Sequence, residues 1–403
     1  MSTPPAAAAL RHWPWPYRAA LAICSDLDET PDLDVYLESM RFLNTTRATR
    51  MGPGIGLEVG NSLYFDMPAG QLSYWSTDDA GRAALRDLIR SGHIDCLHSY
   101  GDHATTRAHA GRAIDDLVRH DCRPQVWIDH ATAITNFGAD IMRGQGDVPG
   151  SPAYHADLTC GMGVRYVWRG RVTSVIGQDA PRSLGGILDS AHVVPSVKTW
   201  AKELAKGVLG AGGSDKYALH PANAVLRPVR LRDGRRVHEF LRANPHWGGV
   251  SSADNATGLA DVLTPHMLDR LESRGGAMVL YTHLGKIRDA REPFAAPTRA
   301  ALAHLAARAR DGRMLVTTTR RLLGYCHARA ALRLTRADGD AIAVNVEGVD
   351  VADLAGLTFH VADAARARLS VNGQDIAALA RHPADESGRA SISIPWRPLE
   401  FPA

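Results

Sequence analysis

The sequence predicts an α/β protein, an irregular (β/α)7 barrel followed by a small antiparallel β domain. Three observations lead to this prediction. Short apolar runs alternate with helix-period segments from Ala19 to about Arg329, which is typical of βα units. After Arg329, apolar and polar residues alternate, as in antiparallel strands with one buried face. The length of 403 residues is sufficient for one large and one small domain.

Seven apolar runs are the candidate barrel strands. They are Ala19–Ser25, Ile55–Phe65, Ile94–Tyr100, Gln125–Asp129, Val164–Trp168, Ala277–Tyr281 and Arg313–Thr318. Helix-start signals lie between them. Ser76–Asp79 has the pattern of a capping box, Thr264-Pro265 combines an N-cap with a proline at the first helical position, and Pro297 begins a further helix.

The predicted barrel domain covers residues 1–330 and contains an insertion at about 176–262. The Gly-rich stretch Gly207–Gly213 and the basic stretch Arg227–Arg242 interrupt the apolar rhythm, so we interpret this insertion as long loops over one face. Residues 331–403 form the second unit, a β-sandwich-like accessory domain. Asp338-Gly339 and Asn372-Gly373 are strong hairpin-turn signals within it.

Composition excludes several classes of protein. The 46 basic and 43 acidic residues leave a formal charge of +3, which provides no general attraction for nucleic acid or anionic membranes. No apolar run approaches the roughly 20 residues of a membrane span, and no signal-peptide pattern is present. The five cysteines contain no C-x-x-C pair, which indicates a reducing compartment. We therefore expect a cytoplasmic protein that binds a small molecule or a glycan; no pattern indicates its oligomeric state.

An acidic pair follows the first candidate strand. The two-residue period of extended chain places Asp26 and Asp28 on one side as the chain leaves the sheet. Two carboxylates so placed repel each other unless a cation or a proton lies between them. The pair is therefore either an ordinary acidic loop or helix cap, or a metal ligand beside a general base.

Histidines follow three further apolar runs: His98 and then His103 after one run, His130 after the next, and His283 near the end of the predicted barrel. A single histidine at a strand end is more often structural than a ligand. In a parallel barrel, however, the carboxyl ends of all strands meet at one rim, where active sites lie. Imidazole nitrogens combined with a carboxylate suit a divalent ion such as Zn²⁺. Asp129 is a candidate carboxylate partner for His283.

The order of these motifs resembles the polysaccharide deacetylase superfamily, carbohydrate esterase family four, over residues 19 to 325. The resemblance implies a (β/α)7 barrel and metal-dependent hydrolysis of the N-acetyl group of a sugar or glycan precursor. Asp26 would be the general base. The metal ligands would be Asp28, His98 and His103, and His283, in the sequence Leu280-Tyr281-Thr282-His283, would be the general acid.

Three features differ from the family pattern. Leu27 separates two acids that are adjacent in the family, and His98 and His103 are five rather than four residues apart. The family's Arg-containing third motif is replaced by a strand that ends in Asp129-His130. His130 therefore competes with His103 for the third ligand position.

Two other functions remain open. The run Asp26-Leu27-Asp28-Glu29-Thr30 also resembles the opening motif of haloacid-dehalogenase-like phosphatases, in which Asp26 would be a nucleophile. That family needs a later lysine and a further acidic motif; the first lysine here is Lys198, and no acidic pair follows a later apolar run. A catalytically inactive carbohydrate-binding protein is the third candidate, with Trp13, Trp15, Trp75 and Trp247 as possible sugar contacts.

Overall fold

The computed structural model describes residues 9–338 and 340–402. The strands within these residues are β1 (Ala9–Leu10), β2 (Ala19–Ser25), β3 (Ala48–Thr49), β4 (Gly52–Pro53), β5 (Gly60–Leu63), β6 (Ile94–His98), β7 (Val126–Ile128), β8 (Tyr166–Trp168), β9 (Val172–Thr173), β10 (Leu226–Arg230), β11 (Arg236–Phe240), β12 (Arg242–Ala243), β13 (Ala277–Thr282), β14 (Met314–Thr317), β15 (Arg333–Asp338), β16 (Ala341–Asn345), β17 (Thr358–Val361), β18 (Arg368–Val371), β19 (Gln374–Asp375), β20 (Ala380–His382) and β21 (Ala390–Ser393). The α-helices are α1 (Leu33–Asn44), α2 (Asp79–Arg90), α3 (Arg107–Arg119), α4 (Ala156–Met162), α5 (Val193–Ala211), α6 (Leu219–Ala222), α7 (Leu259–Val262), α8 (Pro265–Arg274), α9 (Ala296–Arg310) and α10 (Thr319–Ala331).

The main sheet is a curled half-barrel of parallel strands, which confirms the predicted α/β class. Its order is β10-β11-β8-β7-β6-β5-β2-β13-β12-β9, and only the β10–β11 pair is antiparallel. One edge of β2 is shared: β14 pairs with its first half at Ala19–Ala22, and β5 pairs with Cys24 and Ser25. All seven apolar runs chosen from the sequence contribute a strand to this sheet, namely β2, β5, β6, β7, β8, β13 and β14.

Short polar side chains begin the helices around the sheet. The Thr264 hydroxyl accepts a hydrogen bond from Met267 N at 3.2 Å, and the next residue is the predicted N1 proline. Asp78 caps α2 by accepting from Gly81 N at 2.7 Å. The Ser76–Asp79 pattern therefore contains the cap, but the capping box itself lies one turn earlier, around Ser73.

The segment 176–262 is more regular than the predicted loops. It contains α5 and the strands β10 to β12, and β11 pairs in parallel with β8. These strands lack an apolar pattern because they contain charged residues. The charged residues are tolerated because they form ion pairs inside the protein. Buried Glu239 on β11 forms ion pairs with Arg169, Arg171 and Arg227 at 2.6 to 3.0 Å. A buried charge with partners on adjacent elements is compatible with a core strand.

The C-terminal part contains two small sheets. One is antiparallel in the order β1-β17-β21-β20, and the other has the order β15-β16-β18-β19 with a parallel β16–β18 pair. The predicted Asn372-Gly373 turn joins β18 to β19, with φ of 51° and 80° as a two-residue hairpin loop requires. β15 and β16 also pair antiparallel, but Gly339 of the predicted Asp338-Gly339 turn lies outside the described residues.

The boundary predicted at residue 330 does not separate two independent cores. Strand β1, from the beginning of the chain, pairs with β17. One apolar cluster joins Trp13, the β2 residue Ala22 and the C-terminal residues Ile342 and Ile392. The C-terminal sheets therefore pack directly on the half-barrel. Among the described helices, none combines the length and the hydrophobicity that crossing a bilayer requires.

Candidate metal centre

Parallel strands bring most of the predicted site residues to one rim. Asp26 and Asp28 follow β2, His98 is the last residue of β6, His130 follows β7, and His283 follows β13. Asp26, His98 and His283 are each at most 4% exposed. Because all four strands are parallel, their carboxyl ends lie on the same side of the sheet, as the sequence analysis expected.

Asp28, His98 and His130 form a compact set that we call the His/Asp group. One ligand atom from each lies within 4.8 Å of the other two. The Asp28 carboxylate is 3.8 Å from the Nδ1 atom of both imidazoles. The side chain of His98 is 2% exposed, and those of His130 and Asp28 are 12% and 18% exposed. Two imidazole nitrogens and one carboxylate oxygen are a donor set found in catalytic zinc sites.

The protonation states also suit metal binding. Burial, reinforced by repulsion from His130, lowers the pKa of His98 well below its ordinary value and keeps this imidazole neutral. Burial of Asp28 acts to raise its pKa, but attraction to His98, His130 and His283 outweighs this effect and lowers the pKa. A neutral imidazole and a charged carboxylate are the forms that bind a cation.

Tyr64 and Asp102 orient this group, and the sequence analysis identified neither. The Tyr64 hydroxyl donates to the Asp28 carboxylate, its oxygen lies 2.9 Å from His130 Nδ1, and its ring stacks on His98. On the other side of His130, Nε2 lies 3.1 Å from an Asp102 carboxylate oxygen. A carboxylate that accepts the second N–H of a histidine directs its other nitrogen towards a metal.

His103 is not part of the His/Asp group. The turn after β6 has three consecutive residues with positive φ, Ser99–Gly101, which reverse the chain sharply. This turn places the Asp102 carboxylate beside His130 and leaves His103 exposed. The structure therefore groups His130, and not His103, with Asp28 and His98.

Asp26 is held by Arg242, a residue that the sequence analysis assigned to a loop. Arg242 Nη2 lies 2.9 Å from Asp26 Oδ2 and donates to the carbonyl of Cys24 at 2.9 Å. The fully buried guanidinium also lies over the rings of Trp168 and Tyr281, at 4.4 and 4.3 Å. Among the described residues, no group hydrogen-bonds the buried Oδ1 of Asp26, which lies 3.8 Å from the His98 imidazole.

The second imidazole nitrogen of His283 points towards both acids. His283 Nδ1 donates to the backbone carbonyl of Asp254 at 2.8 Å, so the neutral ring carries its lone pair on Nε2. This Nε2 lies 3.9 Å from Asp26 and 3.7 Å from Asp28.

The carboxylate beside Nδ1 of His283 is that of Asp254, at 3.8 Å, and not that of Asp129 as expected. Asp129 instead accepts hydrogen bonds from the indole of Trp127 and from the backbone of Phe137 and Gly138. These bonds fix Asp129 in the core, where burial raises its pKa to about 7. Its role is therefore to hold the loop that carries His130.

A separate cavity of about 370 Å³ lies at the other end of β6, between Asp95, α10 and the C-terminal residue Trp396. Its charged side chains are already engaged: Arg320 with Asp353, and Arg321 with Glu58 and the ring of Trp396. This cavity does not contact the His/Asp group.

Comparisons of the chain with protein-family models, with curated proteins and with solved structures found no match. The geometry of the rim is therefore the basis for a functional proposal.

Proposed function

We propose that this protein is a metal-dependent hydrolase that removes the N-acetyl group from a sugar or a glycan precursor. The observation that supports this most is the convergence of the His/Asp group with a second acid, Asp26, and a further histidine, His283, on one rim. The resemblance to polysaccharide deacetylases implies the same roles, with His130 in place of His103. The curled parallel sheet is compatible with the irregular (β/α)7 barrel of that family.

The His/Asp group would hold the ion, and Zn²⁺ is the metal that best suits two imidazoles and a carboxylate. When bound, a zinc ion polarises a carbonyl group and acidifies a water molecule. Tyr64 and Asp102 keep two of the three ligands in position through their contacts with Asp28 and His130.

Asp26 is the proposed general base. Arg242 balances the charge of the carboxylate and fixes its orientation through Oδ2. Oδ1 has no partner among the described residues and is therefore free to accept a proton from water. The resulting hydroxide attacks the acetyl carbonyl carbon.

His283 is the proposed general acid. With Nδ1 fixed on the Asp254 carbonyl, a second proton can reside only on Nε2, near the two carboxylates. This proton passes to the leaving nitrogen as the carbon–nitrogen bond breaks. The products are acetate and a free amino sugar, so one water molecule is consumed for each bond broken.

We propose a cytoplasmic location because all five cysteines are free thiols. The substrate would then be a nucleotide-linked, lipid-linked or other intracellular glycan precursor.

Acetate release from a panel of N-acetyl sugars and glycan precursors tests the proposal. Asp26→Asn and His283→Ala should retain bound metal but lose turnover, by about 10²- to 10⁴-fold for the acid. His103→Ala is the matched control, because this histidine is exposed and outside the His/Asp group. Its turnover should equal that of the wild type.

Two outcomes would reject the deacetylase. A phosphoryl adduct on Asp26, trapped with a phosphate donor and fluoride, would favour the phosphatase. Metal-loaded wild type that binds glycans but releases no acetate from any substrate would favour the inactive carbohydrate-binding protein.

A further inference from the structure

Helix α5 carries half of the exposed large apolar side chains of the described chain. Twelve such side chains are exposed, and seven of them lie between residues 188 and 209. They are Leu188, Val193, Val194, Val197, Leu204, Val208 and Leu209, with exposed fractions from 40% to 79%. Such a concentration, unlike single exposed apolar residues, marks an interaction surface.

The helix is oriented with its apolar side outwards. Val193, Val197, Leu204 and Val208 lie four, seven and four residues apart, so they form one stripe along the helix. The buried side of α5 consists instead of Ser196, Thr199, Glu203 and Gly207. A helix that served only to stabilise the fold would bury its valines. The outward stripe is therefore available to something other than this chain's own core.

Lysines line one side of the stripe. Lys198 and Lys202 are both exposed, and neither has a carboxylate at ion-pair distance within the described residues. Lys206 is paired with Glu203 at 2.7 Å. Glu203 is the only acidic residue of the helix and is buried, so the solvent-facing surface of α5 carries lysines but no acid.

Three arginines contact the loop that precedes α5 or the buried side of the helix. Arg182 donates to the backbone carbonyl of Glu203, and its guanidinium packs against Gly207. Arg270 and Arg274 hydrogen-bond the same loop, at Ser183 and at the carbonyl of Pro181 respectively. These three guanidinium groups also lack an ion-paired carboxylate in the part of the chain that the structure describes. The unpaired positive charge beside the apolar stripe is therefore that of Lys198 and Lys202.

We infer that the exposed face of α5 docks on a membrane surface that contains anionic lipids. An apolar stripe bordered by basic side chains is the pattern of a helix that lies in the plane of a bilayer interface. The valines and leucines would enter the acyl boundary, and the lysines would contact lipid phosphates. This inference rests on the helix and does not depend on the proposed hydrolase activity.

Charge decides against the main alternative, a second copy of the chain. When two identical helices pack antiparallel about a two-fold axis, the same flank of each faces its counterpart. Lys198 and Lys202 would then oppose the same lysines of the other copy, which is unfavourable. An anionic surface instead complements the lysine flank.

The docking face is connected to the candidate site. The Thr199 hydroxyl, on the buried side of α5, donates to the carbonyl of Trp247 at 2.9 Å. Trp247 lies in the loop after β12, the strand that carries Arg242. This bond attaches α5 to the loop that follows the Arg242 strand.

Vesicle flotation with the full-length protein tests the inference. We expect binding to vesicles of phosphatidylcholine with phosphatidylglycerol, little binding to phosphatidylcholine alone, and weaker binding as salt increases. Lys198→Gln and Lys202→Gln should each lower the partition coefficient about fivefold. Val194→Asp combined with Val197→Asp should abolish binding. Both valines are exposed, so circular dichroism should show an intact fold.

Two variants serve as matched controls. Val351→Asp changes a valine that is 82% exposed but lies outside α5, and Arg123→Gln removes an exposed cation elsewhere. Both should bind vesicles as the wild type does. Absence of binding, or equal loss in the controls, would overturn the inference. Concentration-dependent dimerisation that Val194→Asp/Val197→Asp abolishes would instead assign the face to a second copy.

Discussion

At the residue scale, the Asp26 carboxylate is paired with a buried cation, Arg242. Arg242 is fully buried, and its guanidinium contacts the Asp26 carboxylate, the Cys24 carbonyl and two aromatic rings. Removal of one member of a buried ion pair leaves the other charge without compensation. The pair therefore contributes to folding and to the proposed activity through the same contact.

Arg242→Met should lower the free energy of unfolding by about 3 to 5 kcal/mol, measured by urea denaturation. Asp26→Asn in the same chain should recover most of this loss because the uncompensated charge is gone. Arg299→Met is the comparison at the surface: its partner Glu292 is half exposed, so the cost should stay below about 1 kcal/mol. An equal loss in the double variant would show that packing rather than charge accounts for the effect.

Metal content distinguishes the members of the His/Asp group from their neighbours. His98→Ala and His130→Ala should each remove most of the bound zinc, measured by elemental analysis after dialysis, since each deletes one of three ligands. His103→Ala should retain it, because His103 is exposed and lies outside the group. Zinc retained in His130→Ala but lost in His103→Ala would contradict the assignment.

At the element scale, α2 depends on one capping carboxylate. Asp78 accepts from Gly81 N at 2.7 Å and satisfies a donor that the first turn leaves free. Asp78→Ala should destabilise the protein by about 1 kcal/mol, visible as a lower melting temperature. Asp79→Ala is the control one residue later. Its side chain is 98% exposed and contacts only Arg82 on the same helix, so its effect should stay within about 0.5 kcal/mol. Equal effects of the two changes would show that general charge, and not the cap, stabilises α2.

At the scale of the whole molecule, buried histidines make stability depend on pH. Burial lowers the pKa of His93, His155 and His220 to about 4. A histidine with a folded pKa below its unfolded value binds fewer protons when folded, so stability falls as pH drops from about 6.5 to 4. Asp95 and Asp129 act in the opposite direction, because burial raises their pKa to about 6 and about 7.

Together with His98, whose pKa burial also lowers, these histidines outnumber the two carboxyls, so the metal-free protein should lose stability between pH 6 and pH 4. The expected slope is about 1.4 kcal/mol per pH unit for each net proton taken up on unfolding, measured by urea denaturation at several pH values. His155→Gln should remove the contribution of one group and flatten this slope. Stability that is constant or greater at the lower pH would contradict the prediction.

The net charge of the chain does not show how lysines and apolar residues are distributed on α5. The formal charge of +3 predicts no attraction to anionic membranes for the chain as a whole. Three of the five lysines nevertheless lie on α5, and the structure places exposed valines beside them. Only the packing of α5 against the rest of the protein shows which face of the helix is exposed.

The sequence by itself determined the features that depend on neighbouring residues. Apolar runs and turn residues act locally, so the seven parallel strands, the Thr264 cap and the Asn372-Gly373 hairpin were all predictable. The same locality explains why Asp26, Asp28, His98 and His283 could be assigned to strand ends. A strand end is a property of a short segment and of its apolar pattern.

Only the tertiary structure decided which of these side chains meet. His130 rather than His103 joins the group because of a left-handed turn and the position of β7 beside β6, neither of which follows from spacing. Arg242 reaches Asp26 from 216 residues away, and Tyr64 reaches the metal ligands from β5. A paired charge in a strand and an outward-facing apolar helix both contradict the local pattern, because burial is decided by contacts with other elements.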